Sequence, residues 1–262
     1  MKIANKLVVI TGASSGIGRD MAFEVAKQGG IPILLARRGD LLSTLVDEIK
    51  VGFGITAHSF QLDISDIMAV KKVFQEIYQN IGNIDVLINN AGFAKFALAD
   101  ELTNDVAHAM FEVNVLGLIA CTNAVLPTMK AKKQGQIINI ASIIGKIPTP
   151  KASTYAATKH AVRGFTNALR MELVNTNIQV TMINPGPVRT DFFNIADETG
   201  NYTKNIAKMM LDSKTVARKT VATIGTKKRE LNLPWWMGLG GKIYAIMPVI
   251  MERTLGKWIF MK

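Results

Sequence analysis

A tyrosine and a lysine that are one helical turn apart could together transfer a proton. Tyr155 and Lys159 stand at positions i and i+4 of a segment with a helical pattern, so their side chains share one face. A free phenol has a pKa near ~10, and a proton donor working near neutrality needs that value lowered by roughly 3 units, or about 4 kcal/mol. One ammonium ~5 Å away, at an effective dielectric constant of ~20, supplies about 3 kcal/mol. The spacing therefore predicts that Lys159 lowers the pKa of Tyr155.

Any solvated helix face can carry such a pair, but three further motifs accompany it in chain order. Ser142 lies thirteen positions before Tyr155, at the end of the apolar, strand-like run 136–141. A Gly-rich turn, Thr11–Gly18, directly follows the first apolar run, and Asn89–Gly92 follows another. Together these motifs closely resemble the classical short-chain dehydrogenase/reductase family, in order and spacing, over nearly the whole chain.

The resemblance implies an α/β fold of the Rossmann type, a doubly wound, seven-stranded parallel sheet flanked by helices. The length of 262 residues fits one such domain. We therefore expect a single domain over residues 1–262, with a substrate lid at about 191–213. An apolar, basic C-terminal extension at about 234–262 departs from the family's minimal form.

Four side chains would form the catalytic tetrad by this resemblance. Ser142 and Tyr155 would bond the carbonyl oxygen, and Tyr155 would protonate it as hydride arrives. Lys159 would also bond the nicotinamide ribose, and Asn114 would hold a water of the proton relay. An Asn in so apolar a helix must in any case find partners, because an unpaired buried amide costs about 1–3 kcal/mol. Asn114 is therefore also predicted to bond the local backbone and kink its helix.

The Gly-rich turn is typical of a dinucleotide site. Gly12 permits the tight turn, while Gly16 and Gly18 allow close approach to a pyrophosphate at the positive end of the following helix. The resemblance adds cofactor contacts at this turn and after later strands: Ser14, Ser15, Ile17, Asp63, Asn90, Ala91, Gly92, Tyr155, Lys159, Pro185, Gly186, Val188 and Thr190.

The end of the second predicted strand indicates the cofactor type. An NAD site favours an acid there for the ribose hydroxyls, whereas a 2′-phosphate favours a cation. The chain has Arg37 and Arg38, whose charge-assisted bonds to a phosphate are worth roughly 1.5–3 kcal/mol each. NADP(H) is therefore favoured, and NAD(H) stays possible if the two arginines are merely solvated before a helix capped by Asp40.

The substrate is predicted to be an apolar ketone or aldehyde. Phe93, Ile143, Ile144, Phe192 and Phe193 suggest an apolar pocket, and the favoured function is its NADP(H)-dependent reduction. One alternative is an NAD-dependent alcohol dehydrogenase. Another, from a different class, is a non-catalytic nucleotide-binding sensor, which would most simply show a broken tetrad; here all four positions are filled.

The C-terminal extension combines cations with aromatic residues. The formal net charge is +11, and residues 201–262 hold twelve Lys/Arg against three acids, which is +9 of that total. All three tryptophans lie beyond residue 234. We favour a pocket wall or a subunit contact, in a homodimer or homotetramer as the resemblance implies, over contact with a membrane. No nucleic-acid-binding module is recognisable, so nucleic acid is an unlikely partner.

Other features bound the function further. One cysteine, Cys121, excludes a disulfide framework and suits a reducing cytosol. No His/Cys/acid cluster has metal-ligand spacing, and the three histidines are assigned to structure or surface. No signal-peptide pattern is evident, and the apolar run near the C-terminus is interrupted by Lys242 and Pro248. We therefore expect a cytoplasmic protein, soluble or at most peripheral to the membrane.

Overall fold

Most of the strands are apolar runs rich in Ile, Leu and Val. This composition is typical of a parallel sheet, because helices cover both of its faces and no side of a strand meets water. The computed structural model describes residues 3–197 and 199–259, with side chains through residue 254. Within that range the strands are β1 Leu7–Thr11, β2 Ile31–Ala36, β3 His58–Gln61, β4 Val86–Asn89, β5 Gly135–Ile140, β6 Ile178–Pro185, β7 Val188–Arg189, β8 Leu211–Asp212 and β9 Glu230–Leu233.

The helices lie on the two faces of this sheet and beyond its carboxyl edge. They are α1 Gly16–Lys27, α2 Gly39–Phe53, α3 Ile67–Asn80, α4 Asn104–Phe111, α5 Leu118–Lys132, α6 Ser153–Glu172, α7 Phe192–Ala196, α8 Asn201–Ile206, α9 Ser213–Val221, α10 Trp235–Ile246 and α11 Pro248–Ile259. A π-helical turn, Glu112–Gly117, joins α4 to α5, and a 3-10 turn, Ile143–Gly145, precedes α6.

The seven-stranded parallel Rossmann sheet is confirmed. Its strand order is β3-β2-β1-β4-β5-β6-β9, and every neighbouring pair is parallel. The chain reverses its direction of winding between β1 and β4, so the loops after these two strands diverge and leave a crevice. The Thr11 hydroxyl joins the two sides, accepting hydrogen bonds from the backbone N–H of Asn90 (2.9 Å) and Ala91 (3.0 Å).

The predicted lid contains more structure than its sequence indicates. It comprises α7, α8, a 3-10 turn at Ala207–Met209 and β8, which pairs in parallel with β7 just before the lid. One predicted helix cap is wrong: α2 begins at Gly39, so Asp40 lies in its first turn and makes no side-chain cap. Asp66 does cap α3, because its carboxylate accepts the N–H of Ala69 at 2.9 Å.

The continuous helical stretch Asn104–Lys132 is long and apolar enough, by length and composition alone, to cross a membrane. Its inward residues Cys121, Val125 and Met129 are buried against the sheet. That burial is typical of a core helix, which passes the same test.

Candidate active site

One continuous cavity of about 1330 Å³ follows the carboxyl edge of the sheet from β2 to β6. It collects almost all the predicted site residues, including Arg37, Arg38, Asp63 and Pro185. Two predicted residues, Gly18 and Asn114, do not line it. The lining at the cofactor end also includes Ser14, Ser15, Ile17, Asn90, Ala91, Gly92, Gly186, Val188 and Thr190.

The Gly-rich turn brings backbone against backbone. Gly12 has φ +66°, and a Cβ there would lie 2.8 Å from the Cα of Ala91. Gly16 has φ +55° and faces Thr190. A Cβ on Gly18 would lie only 2.2 Å from the Gly12 carbonyl oxygen. Gly18 therefore has a packing role, in which it lets α1 lie directly beneath the turn, and its contact with the cofactor stays a prediction.

A cation closes the far end of the cavity. The Arg38 guanidinium donates hydrogen bonds to the hydroxyls of Ser14 (3.0 Å) and Ser15 (2.7 Å). Arg37 is exposed and lies 3.8 Å from the Asp63 carboxylate, which also accepts hydrogen bonds from Ser65. The side chains of Arg38, Ser14 and Ser15 thus converge beside the N-terminus of α1, whose first turn has no acidic residue. This donor set fits the phosphate-bearing end of a dinucleotide.

The catalytic candidates meet at the middle of the cavity. Tyr155 and Lys159 lie in the first two turns of α6, both buried, and the Lys159 Nζ is 5.7 Å from the centre of the Tyr155 ring. Nζ also donates to the carbonyl oxygen of Ile140, at the end of β5, at 3.0 Å. Ser142 follows that strand, and its hydroxyl accepts the backbone N–H of Ile144 at 3.1 Å. The strand end therefore fixes both the lysine and the serine.

Asn114 lies behind this group and is fully buried. Its amide exchanges two hydrogen bonds with the backbone of Phe93, each 2.9 Å, and donates to the Thr158 hydroxyl at 3.2 Å. The helix widens to a π-turn around it. The expected backbone bonding and helix distortion are both present, and such π-turns are frequent at functional sites. The relay water stays a prediction.

The comparisons with known proteins decide the family. A family model described as short chain dehydrogenase matches residues 6–200. The chain belongs to the short-chain dehydrogenase family. It is 38% identical over 193 residues to an NADP-dependent 3-hydroxy acid dehydrogenase of Schizosaccharomyces pombe, covering 73% of this chain and 74% of the relative. It is 34% identical over 247 residues to dehydrogenase/reductase SDR family member 7B of Bos taurus, covering 88% and 74%.

Solved structures agree with this assignment. A serine dehydrogenase complexed with NADP+ is 31% identical, with a TM-score of 0.76 over 86% of this chain and 93% of that one. An alcohol dehydrogenase from Thermococcus sibiricus complexed with 5-hydroxy-NADP is 26% identical, with a TM-score of 0.78 over 87% and 95%. This short-chain dehydrogenase is thus an oxidoreductase with a site for a nicotinamide cofactor.

Burial reverses the predicted shift of the catalytic phenol. Loss of solvent raises the pKa of Tyr155 well above its usual value, and a hydrogen bond with Ser142 only partly opposes this. The same loss of solvent lowers the pKa of Lys159 to about 8. The expectation that Lys159 produces a net downward shift is therefore wrong for the protein alone. Desolvation acts against the charged form of both groups and outweighs their mutual attraction.

The other half of the cavity in this short-chain dehydrogenase is aromatic. Phe192 packs 5.9 Å from the Tyr155 ring, and Phe193 is buried beside it, as the inward-facing prediction required. Phe96 is centred 6.2 Å from Tyr155 and 4.7 Å from Tyr202. Four aromatic side chains thus form a connected group beside Tyr155 in the cavity.

Sequence reasoning did not name several of the lining residues. Phe96 and Tyr202 line the cavity, as do Trp236, Met237 and Met251 of the C-terminal extension, which was favoured as a pocket wall. Tyr202 could have been found as an aromatic residue within the predicted lid. Phe96 and Met251 lie in no motif, and only the fold brings them to the site.

The lid is held in place by its own hydrogen bonds. The backbone N–H of Phe96 donates to the Ala196 carbonyl oxygen at 2.8 Å, which joins the loop after β4 to α7. The Asp197 carboxylate accepts the N–H and the hydroxyl of Thr203, both at 2.7 Å. Although burial opposes it, these bonds keep the pKa of Asp197 below its usual value. These bonds thereby tie α7 to the loop after β4 and to α8.

The remaining candidates play the structural roles that were expected. Burial raises the pKa of Cys121 to about 12, so its thiol stays protonated and serves packing. The His160 ring nitrogen contacts the Ala156 carbonyl oxygen at 2.9 Å, and His108 pairs with Glu112. Within the described residues, no group of three His, Cys, Asp or Glu side chains could hold a metal ion.

Proposed function

We propose that this short-chain dehydrogenase uses NADPH to reduce an apolar ketone or aldehyde. One observation supports the proposal most. A single cavity joins an arginine–serine cluster at one end to a buried Ser142–Tyr155–Lys159 group beneath an aromatic wall at the other. The cavity can hold a dinucleotide along the sheet edge with its substrate beyond the tetrad.

Each residue of the tetrad has a separate role in the proposed reduction. A bound nicotinamide supplies the hydride. Ser142 and Tyr155 present two hydroxyl groups to one carbonyl oxygen, and Tyr155 gives up its proton as negative charge develops on that oxygen. Lys159 stabilises the resulting phenolate through its nearby ammonium. Asn114 keeps the backbone of Phe93 in position over this group.

The raised pKa of Tyr155 keeps its phenol protonated near neutral pH, and the protonated form is the one that reduction of a carbonyl uses. The oxidising direction would need the phenolate first. For an alcohol dehydrogenase, the cofactor's own charge would therefore have to lower this pKa.

The arginines support the choice of NADPH. Arg38 is already turned toward the Gly-rich turn by its two serine bonds, and Arg37 lies exposed beside it. A 2′-phosphate placed there would replace solvent around two guanidinium groups with charge-assisted bonds. A cofactor with a free 2′-hydroxyl would leave them without that partner.

The substrate class follows from the outer half of the cavity. Its wall consists mostly of aromatic and aliphatic groups: Phe93, Phe96, Ile143, Ile144, Ile147, Phe192, Phe193, Ile206, Trp236, Met237 and Met251. An apolar substrate that packs against this wall gains binding free energy of roughly 25 cal/mol per Å² of apolar surface buried. A carboxylate or a sugar would gain little from it.

A panel of carbonyl compounds tests this function directly. NADPH consumption is followed by its absorbance with short aliphatic, long-chain, aromatic and polyhydroxylated ketones and aldehydes. We expect kcat/KM to rise with apolar surface and to be lowest for the polyhydroxylated compounds. Equal or better turnover with NADH, or preference for polar substrates, would overturn the corresponding part of the proposal.

A further inference from the structure

The two C-terminal helices expose an unusual number of large apolar side chains. The C-terminal apolar surface is defined here as Trp235, Trp236, Leu239, Ile243, Ile246, Met247, Val249 and Ile250, all of which are exposed. Trp235 is 75% exposed and Ile246 is 79% exposed. Clustered apolar exposure of this kind marks an interaction site, whereas single exposed apolar residues are ordinary.

The surface is presented on a firmly packed support. A Cβ on Gly238 would lie 2.5 Å from the Asn232 side chain, and one on Gly241 would lie 2.9 Å from the Cβ of Lys146. These glycines let one side of α10 lie directly on β9 and on the turn after β5. The Tyr244 hydroxyl donates to the Glu252 carboxylate at 2.8 Å and ties α11 to α10. The apolar residues therefore point outward because the opposite side of α10 is already committed to packing.

The surface is continuous with the mouth of the cavity. Trp236 belongs both to the exposed group and to the cavity lining, and Met251 lines the cavity from α11. On the opposite rim, the lid residues Ile195 and Met209 also line the cavity and are exposed. The opening is thus bordered by apolar groups from two separate parts of the chain.

Positive charge accompanies this apolar group. Residues 234–262 contain Lys242, Arg253, Lys257 and Lys262 against the single acid Glu252, a net charge of +3. Glu252 already accepts the hydrogen bond from Tyr244. Lys242 and Arg253 are both exposed. Tryptophans and aliphatic groups flanked by cations are the composition of segments that lie in a bilayer interface.

We propose that the C-terminal apolar surface docks on a bilayer containing anionic lipids. Charge favours this occupant over a second copy of the chain. Each copy carries a formal charge of +11, so two such surfaces approach against mutual repulsion, whereas an anionic bilayer attracts both the segment and the whole protein. The extension then has two roles: Trp236, Met237 and Met251 line the cavity, as the favoured pocket wall would, and the exposed side meets lipid.

The chain carries its own optical probe for this contact. All three tryptophans lie in this segment, at positions 235, 236 and 258, so tryptophan emission reports on no other region. Purified protein is mixed with vesicles of phosphatidylglycerol and phosphatidylcholine, or of phosphatidylcholine alone. We expect a blue shift of the emission and co-sedimentation with the anionic vesicles, both weakened by high salt.

Matched triple variants identify the surface responsible. Trp235→Ser/Ile246→Ser/Ile250→Ser removes three exposed groups of the patch that do not line the cavity. Val51→Ser/Met68→Ser/Met171→Ser removes three exposed apolar groups from α2, α3 and α6. We expect the first variant to bind anionic vesicles at least tenfold more weakly and the second to bind like the wild type. Because all six positions are exposed, both should keep the wild-type thermal midpoint.

Three results would overturn the proposal. The first is wild-type protein that stays in the supernatant with anionic vesicles at low salt. The second is a patch variant that sediments as well as the wild type. The third is a dimer, measured by light scattering, that the patch variant alone converts to monomers while vesicles bind neither protein; it would assign the surface to a subunit contact.

Discussion

The two halves of the cavity are built by different means. The cofactor half consists of short turns after β1, β2 and β4, where Gly12 approaches the backbone of Ala91 and Asn90 bonds the ends of neighbouring strands. The substrate half consists of large side chains contributed by the loop after β4, the turn after β5, the lid and the C-terminal helices. One half is defined mainly by backbone and the other by side chains.

This difference reflects two tasks: binding a phosphate, which many proteins do in the same way, and binding one particular substrate. A phosphate can be bound by backbone N–H groups and a helix N-terminus, so a few consecutive residues are enough to build its site. A substrate pocket needs a shape, and that shape arises where distant segments meet. The tetrad lies at the boundary, and changes on either side of it should separate cofactor binding from substrate use.

Removal of the catalytic phenol should have the largest effect. Tyr155→Phe deletes the proton donor but keeps the ring that packs against Phe96 and Phe192. We expect kcat to fall by roughly 10²–10⁴-fold, the usual contribution of a general acid, with NADPH binding largely intact. Steady-state assays and fluorescence titration with NADPH measure the two quantities.

A second phenol provides the control. Tyr78→Phe removes a hydroxyl from α3 that does not line the cavity, and it should leave kcat at the wild-type value. Loss of NADPH binding together with turnover in Tyr155→Phe would show that this residue holds the cofactor half together. Cofactor binding and substrate use would then not be separable at Tyr155.

Arg38 should control the cofactor half alone. Arg38→Ala removes the guanidinium that bonds Ser14 and Ser15, and one charge-assisted bond is worth roughly 1.5–3 kcal/mol. We expect kcat/KM for NADPH to fall by about 10–100-fold, since 1.4 kcal/mol is tenfold, while the value for NADH stays unchanged. Arg218→Ala, at an exposed position of α9, is the matched control. An equal loss with both cofactors would contradict 2′-phosphate binding.

Sequence reasoning succeeded where consecutive residues form a motif. The seven-stranded parallel sheet follows from the family resemblance. One cavity collects Ser142, Tyr155, Lys159, Arg37 and Arg38, because each lies directly after a strand or on one helix. The packing role of Gly18 is visible only in the fold. The motif shows that a side chain is excluded there, but only the fold shows that the Gly12 carbonyl oxygen excludes it.

Phe96 should affect the substrate half alone. Its ring contacts Tyr155, Phe193 and Tyr202, and an aromatic pair adds about 0.5–1.5 kcal/mol beyond area burial. We expect Phe96→Ala to lower kcat/KM about tenfold for an aromatic ketone, with little change for a short aliphatic one and none in NADPH binding.

A remote aromatic pair serves as the control for that substitution. Phe53→Ala removes a ring that packs edge-on against Phe23, away from the cavity. It should leave kcat/KM unchanged for both the aromatic and the short aliphatic ketone. Equal losses for aromatic and short ketones in Phe96→Ala would place its ring in support of Tyr155 instead of in the substrate wall.

The wrong prediction for Tyr155 shows what spacing cannot reveal. Positions i and i+4 specify a separation of charges, and the Coulomb term can be calculated from it. The desolvation term depends on burial by the lid, the loop after β4 and the turn after β5, none of which is visible in two residues. The structure shows both groups buried, and desolvation prevails.

That burial should appear as a small pH dependence of stability. The pKa of Lys159 is lowered from 10.5 to about 8 on folding, so between these values the unfolded chain binds the proton that the folded chain has lost. Stability contributed by this group should therefore rise with pH through that window and be lost again as pH falls toward 8. We expect a gain of about 1 kcal/mol per pH unit, measured by urea unfolding between about pH 8 and pH 10.

Comparison with Lys159→Met isolates this contribution, because other titrating groups, including Cys121 and Tyr155, are present in both proteins. The difference in unfolding free energy, wild type minus variant, should increase with pH. Lys50→Met, at an exposed position near the end of α2, should keep the wild-type slope. A flat difference for Lys159→Met would mean that the ammonium is solvated in the folded protein. The tetrad would then resemble the exposed cofactor half more than the buried aromatic half.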